Sequence, residues 1–276
     1  VVAAIDAYNA ESASALPILE PAGIPLVGQI PYNLQTGAEA KNRVYFGPAP
    51  AAFLVGFMQQ LKASGKTSLT LAKADLPSAH QVFSQLLEPL GAQLGIEVKS
   101  TFYPAAGPDY TQLATTLADG SPDAVGLMTS PNDNTCIKLA ESLREVNYEG
   151  TIFLAACTEF VDTMGEAAVG AQTYSPMWQL PAVEQAPEPA AENVRTAMKF
   201  IDAKDGTKGF YALGTFSILT DFAAILNNAK VTEFTPANVL AALKGATDYQ
   251  SFIGPKLNCG KATSPNCTTE MLLFDV

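Results

Sequence analysis

The chain has 276 residues, 48% of them apolar and only 16% charged, and its formal net charge is −11. That length builds one large domain or two of ordinary size, with ample apolar material for their cores. The acidity argues against nucleic acid or an anionic membrane surface as a partner, and no uninterrupted apolar run reaches membrane-spanning length.

In chain order, Val1 to Ile5 reads as a strand, and the polar turn DAYNAES follows it. A helix is expected from about Ser12, ending at Pro21-Ala22-Gly23, before a short strand over Ile24 to Val27. GQIPYNLQTGAEAKN has turn chemistry without periodicity and reads as a loop. Arg43 to Phe46 is a short strand candidate. Phe53, Leu54, Phe57 and Leu61 then recur at helical spacing, over Pro50 to Leu61. Thr67 to Ala72 reads as a strand, Gln81 to Leu94 as a helix, Ile96 to Phe102 as a strand and Tyr110 to Leu117 as a short helix.

The stretch from Asp123 to Phe160 reads as strand, polar turn, amphipathic helix, turn and strand. That is a βαβ crossover, whose two strands are parallel near neighbours. A short helix over Glu159 to Glu166 and a strand near Ala171 to Tyr174 come next. LPAVEQAPEP, at 180–189, reads as a surface connection. Helices are expected over Ala190 to Ala203 and Gly209 to Asn228, and another opens at Thr235-Pro236 and ends at Gly245. The tail, with the alternating run Glu270 to Val276, is expected to form a β-hairpin. Strands alternating with helices this often argue for an α/β fold of parallel sheets with helices on both faces.

Four cysteines stand at 136, 157, 259 and 267. Cys136 falls in the first turn of the crossover helix and Cys157 just past the following strand. Both therefore lie at the carboxyl ends of strands, the edge where open α/β sheets bind ligands. The local pairing Cys136–Cys157 plus Cys259–Cys267 is favoured over four buried thiols, and over a zinc site, for which the spacing is wrong. Disulfides imply an extracytoplasmic protein.

No nucleophile elbow, phosphate-binding loop or dinucleotide fingerprint occurs, and the lone His80 has no partner motif, so neither enzyme chemistry nor any cofactor or metal is expected. His80 reads as a helix-end or surface residue.

Five segments in order carry a resemblance: VVAAIDAYNAESASALPILEPAGIPLV, FYPAAGPDYTQLATTLADGSPDAVGLM, the crossover ending in MGEAAVGAQTYS, GFYALGTFSILTDFAAIL, and the closing IGPKL with LLFDV. Together they resemble the type I periplasmic solute-binding proteins of ABC importers, in the leucine/isoleucine/valine-binding branch. The resemblance implies two α/β lobes, each a mostly parallel sheet with helices on both faces, closing on a ligand by a hinge. The lobe boundaries are expected at 1–66 plus 176–245 for lobe 1 and 67–175 plus 246–276 for lobe 2. The family begins with two further strand–helix units, roughly 70–90 residues at ordinary βαβ lengths. Further N-terminal sequence, with a removed signal peptide, is therefore expected.

The resemblance implies an extracytoplasmic receptor, in a periplasm or as a cell-surface lipoprotein. It would act as a monomer that delivers a small molecule to the membrane permease of an ABC importer. A sensory module of the same fold is the alternative. Ligand contacts are expected from Tyr8, Asn9, Ile30 and Tyr32 in lobe 1 loops, and from Asp75, Ser78, Ser130 and Asn132 after lobe 2 strands. Tyr211, ahead of a long helix, is expected to join them. Asn9, Ser130 and Asn132 have turn or capping roles as the competing reading, and Tyr211 a core role. Where the family places the acid that pairs with a ligand ammonium, this chain has Cys157, which with Thr158 is also expected among the ligand contacts; Glu159, two residues on, would substitute only if the loop were shifted. The expected ligand is therefore a carboxylate or an aromatic or apolar solute rather than an ordinary α-amino acid, with an amino acid as the alternative.

Overall fold

The computed structural model describes residues 1–9, 12–31, 42–104, 107–128, 133–155, 157–202, 209–260 and 264–276. The chain divides into two compact units: Val1–Phe53 with Pro176–Leu272, and Leu54–Ser175 with Leu273–Val276. Relative to the sequence expectation, the first boundary moves from 66 to within the helix Pro50–Ala63, and 246–272 belongs to the first unit.

The first unit holds a parallel sheet of three short strands in the order β1-β2-β3, namely Ala4–Asp6, Leu26–Gly28 and Arg43–Tyr45. The register aligns Asp6, Gly28 and Tyr45 at the carboxyl edge. Its core is Val27, Val44 and Phe46, packed with Ile218, Ile225 and Leu226 of the helix Phe210–Asn228 and with Val239 and Leu243 of Pro236–Lys244. Thr235 caps the latter, its hydroxyl accepting from the Asn238 N–H at 3.2 Å, as Thr before Pro at N1 predicts. The 19-residue helix Phe210–Asn228 is apolar enough to cross a membrane by length and composition. Its buried, hydrogen-bonded Ser217 and Asp221 and its packed face are those of a core helix.

The second unit holds a six-stranded sheet, order β11-β8-β7-β6-β4-β5. Its strands are β4 (Ser68–Ala74), β5 (Glu97–Tyr103), β6 (Ala124–Leu127), β7 (Thr151–Leu154), β8 (Ala171–Ser175) and β11 (Leu272–Asp275). The pairs from β5 through to β8 are all parallel. The crossover is confirmed: β6 pairs with β7, joined by the helix Asp133–Glu145. Leu139, Ala140 and Leu143 of that helix pack with Val125, Leu127, Ile152 and Leu154 of the sheet. On Phe153 of β7 the ring of Phe57 stacks, at 3.5 Å between centroids. Fully burying each such side chain contributes about 1.5–3 kcal/mol.

Two tail expectations are corrected. The closing strand does not fold back as a hairpin; β11 leaves the first unit and pairs beside β8. The antiparallel pair lies earlier, between β9 (Tyr249–Gln250) and β10 (Lys256–Leu257). Both disulfides form as paired from the sequence, Cys136–Cys157 and Cys259–Cys267. The second closes a loop that runs along β3 rather than between hairpin strands. There Tyr45 bridges Asn266, and the Cys267 N–H donates to the Tyr45 carbonyl at 2.7 Å.

Candidate functional site: the carboxyl edges of the two units

At the carboxyl edge of the first unit, the Tyr45 hydroxyl crosses β2 and donates to Asp6 Oδ2 at 3.0 Å. Gly28 makes this possible, because a Cβ there would lie 2.8 Å from the Tyr45 ring and 2.9 Å from the Asp6 carbonyl. The other oxygen, Asp6 Oδ1, accepts from the Asn9 N–H at 3.0 Å, three residues on, and so closes the turn. That turn carries Tyr8 at φ 62°, a left-handed conformation unusual outside glycine.

Tyr8 packs against Phe210 (5.3 Å between centroids) and edge-on to Tyr211 (5.4 Å), and these two meet T-shaped at 5.2 Å. A Cβ at Gly214 would collide with the Tyr8 hydroxyl and lie 2.7 Å from Met177 Cε, so the glycine is the slot that admits the phenol. Burial, then the neighbouring Tyr211 and Asp6, hold the Tyr8 phenol well above its ordinary pKa. Tyr8 is therefore neutral, and its ring forms part of an apolar, aromatic wall. Asn9 is exposed beside it, and Ile30 is half-buried, next to Gly47.

At the carboxyl edge of the second unit, the first helical turn after β6 supplies Asp133. Its Oδ1 accepts from the N–H groups of Thr158 (2.6 Å) and Glu159 (2.7 Å), capping the helix Glu159–Met164 from another helix. Burial raises the Asp133 pKa, opposed by these N–H donors. Glu159 is raised too, by burial and then by Asp133 and Asp162.

Cys157 is 0% exposed, as is Cys136, and both belong to the core of the unit. The Cys157 side chain thus supports the edge from beneath and presents no group to solvent. Thr158 is buried as well, and the Thr173 hydroxyl donates to the Cys157 carbonyl at 3.1 Å. After β4, Asp75 is exposed and lies 2.7 Å from His80 Nε2, while the His80 ring stacks on Phe102 at 3.8 Å. His80 is thus a surface residue, as read from the sequence.

The structure brings Tyr8 and Tyr211 together. Tyr32, Ser130, Asn132 and the Ser78 side chain lie outside the described residues. Sequence reasoning missed Asp6, Tyr45, Phe210 and Gly214; Asp133 reads as a capping side chain, but the helix it caps is Glu159–Met164 rather than its own. Asp6, a turn-forming residue at the end of the first strand, was there to be read; the cross-strand and cross-helix partners left no signal. Among the described residues, no group of three metal-ligating side chains assembles.

The comparisons with known proteins match this architecture. A leucine binding protein, LivK, from Thermotoga maritima superposes with a TM-score of 0.70 at 17% identity, covering 94% of this chain and 72% of that one. An extracellular ligand-binding receptor from Rhodopseudomonas palustris gives 0.77 at 16%, covering 100% and 80%. An ABC transporter substrate-binding protein from Desulfitobacterium hafniense, in complex with Leu, gives 0.70 at 14%, covering 100% and 78%. No curated protein sequence gives a significant match. At these identities the likeness is one of fold. The sequence model described as "Periplasmic binding protein" matches residues 1–269, and the chain belongs to that family.

Proposed function

We propose that this protein is an extracytoplasmic solute receptor, not an enzyme, that captures a small organic molecule and hands it to the permease of an ABC importer. The ligand-facing surfaces are the carboxyl edges of its two sheets. Family membership supports the receptor role, and two disulfides suit an oxidising compartment, either a periplasm or a cell surface. The receptor acts as a monomer.

One observation carries the ligand class. The position that resemblance assigns to an ammonium-pairing acid is Cys157, which is sealed in a disulfide and the core. The Asp133 carboxylate beside this stretch is engaged by the Thr158 and Glu159 N–H groups. The first unit's edge adds the rings of Tyr8, Phe210 and Tyr211. Such a surface suits a carboxylate or an aromatic or apolar solute, with loop N–H groups and Asn9 as the polar contacts.

A second reading, an α-amino acid, draws on the half-buried Glu159 carboxylate and on the relative solved with Leu. Calorimetry with leucine, valine, phenylacetate and benzoate separates the two. Tight leucine or valine binding with no carboxylate binding would overturn the first reading. Native mass spectrometry of the purified protein would identify any ligand carried through.

A further inference from the structure

The opposite, amino-terminal edge of the second unit's sheet is concave. The segments leading into β4, β6, β7 and β8 line an open hollow of about 780 Å³ there, within the size range of small-molecule sites. Its shape is fixed from below: Tyr148 is buried, passes under Gly150, and donates from its hydroxyl to the Pro122 carbonyl at 2.8 Å.

Four charged residues line it: Lys66, Asp123, Arg144 and Glu149. Elsewhere in this acidic chain several cations meet carboxylates, as in Arg43–Glu20, Lys99–Glu97, Arg195–Glu184 and Lys256–Asp248. Here they do not. The Lys66 ammonium donates to the Thr151 hydroxyl. The Arg144 guanidinium donates to the carbonyls of Val169 at 2.8 Å and Tyr148 at 3.4 Å. Among the described residues neither cation has a carboxylate partner.

The Asp123 carboxylate of the same lining stays ionised, and its Oδ2 is turned to other donors. Its Oδ2 accepts from the N–H groups of Thr67 (2.7 Å) and Ser68 (3.0 Å) and from both hydroxyls. Those donors hold its carboxyl below the ordinary range. Glu149 is exposed.

The two cations are also close. Lys66 is bonded at the head of β7, and Arg144 at the residue two before β8, which pairs with β7. Adjacent strands lie about 4.8 Å apart, so the charges stand on the order of one to two strand spacings from each other. Arg144 keeps N–H donors beyond the two it uses, and Lys66 keeps two.

We propose that this amino-edge pocket binds a compact, oxygen-rich dianion, clamped between the Lys66 ammonium and the Arg144 guanidinium. Inorganic phosphate and a small dicarboxylate share that chemistry. The site is separate from the ligand surfaces at the carboxyl edges, so its test is independent of theirs.

The experiment is an amide NMR titration of the full chain with phosphate and, separately, succinate, ionic strength being held constant with sodium chloride. Saturable shifts at Gly150, Thr151 and Gly170, with a rise in melting temperature, support the site, and the tighter anion identifies its source. Lys66→Met should weaken binding at least about tenfold, equivalent to about 1.4 kcal/mol, while Lys66→Arg retains it. Should the methionine variant fail to fold, Lys66→Gln keeps a donor for Thr151 and removes the charge. No saturable shift with either anion, or an unchanged affinity in the Lys66 variants lacking the charge, overturns the proposal.

Discussion

The carboxyl edges of the two units solve one problem by different means. Loops past the ends of parallel strands have no ladder to hold them. In the first unit mainly noncovalent contacts hold that edge: Tyr45 reaches Asp6 over Gly28, Asp6 fixes the Asn9 turn, and Tyr8 sits among Phe210 and Tyr211, while the Cys259–Cys267 disulfide closes the loop bonded to Tyr45. In the second unit a disulfide ties Cys136 to Cys157, and Asp133 caps the next helix through two N–H groups. One edge depends on shape complementarity and buried polar pairs, the other on a cross-link and a carboxylate. They should therefore fail under different conditions.

The largest effect should come from the cross-link. Replacing Cys136 and Cys157 by serine removes a closure of sequence separation 21, a loss of about 3.4 kcal/mol in the chain-entropy picture. The Cys259–Cys267 loop, of separation 8, should cost about 2.5 kcal/mol. Urea unfolding gives the totals, and hydrogen exchange should locate the first loss in β6 to β8 and the second beside β3. Equal protection in both variants would contradict the division of roles.

Gly214→Ala tests the first edge in the complementary way. The added methyl group enters the slot of the Tyr8 hydroxyl, and overpacking of this kind costs about 1–3 kcal/mol. Tyr8→Phe in the same chain removes the colliding oxygen and should recover part of the loss, so a double-mutant cycle reads the coupling directly. Additive effects would mean that Tyr8 does not occupy the slot in solution.

The first unit should also respond to pH through Asp221, which is 1% exposed and whose pKa burial pushes up to about 7. Bonds from the Phe252 N–H (2.8 Å) and the Tyr249 hydroxyl (3.0 Å) oppose that rise. The folded value lies above the unfolded one, near 3.8, so the folded chain binds the additional proton between those limits. Stability from this group is then fully present below about pH 4 and declines towards pH 7, by at most about 1.4 kcal/mol per pH unit. Asp221→Asn should flatten that part of a denaturation–pH profile. An unchanged slope would show that another group is responsible.

The smallest change is expected from Asp133→Ala, which removes the cap of the helix Glu159–Met164. Loss of such a cap costs about 1 kcal/mol. Amide exchange at Thr158 and Glu159 should quicken while the disulfide stays intact. If exchange there is unaffected, the cross-link alone holds the second edge.

Much of this was legible in the sequence because it is local. Leu139, Ala140 and Leu143 lie on one face at helical spacing, and the apolar runs between turn residues became β6 and β7. Asp109 and Thr235 stand where caps are expected, and each accepts from the N–H three residues on. The disulfide pairing followed from two cysteines at neighbouring strand ends.

Other features depend on residues far apart in the chain and leave no periodic trace. Glu270 to Val276 alternates equally well as a hairpin arm or as the strand beside β8; only the open β8 edge of the other five strands decided between them. Cys157 and Thr158 marked the right stretch of chain, yet the fold turned the cysteine into the core. The sequence by itself determined most of the helices and strands, the parallel crossover of β6 and β7 and the pairing of the cysteines, because hydrophobic period, capping and chain connectivity act within a few dozen residues. The tertiary structure decided the unit boundaries, the Tyr45–Asp6 bond over Gly28 and the slot at Gly214. It also decided the meeting of Lys66 and Arg144 at one edge, because each requires surfaces that become neighbours only when the sheets have formed.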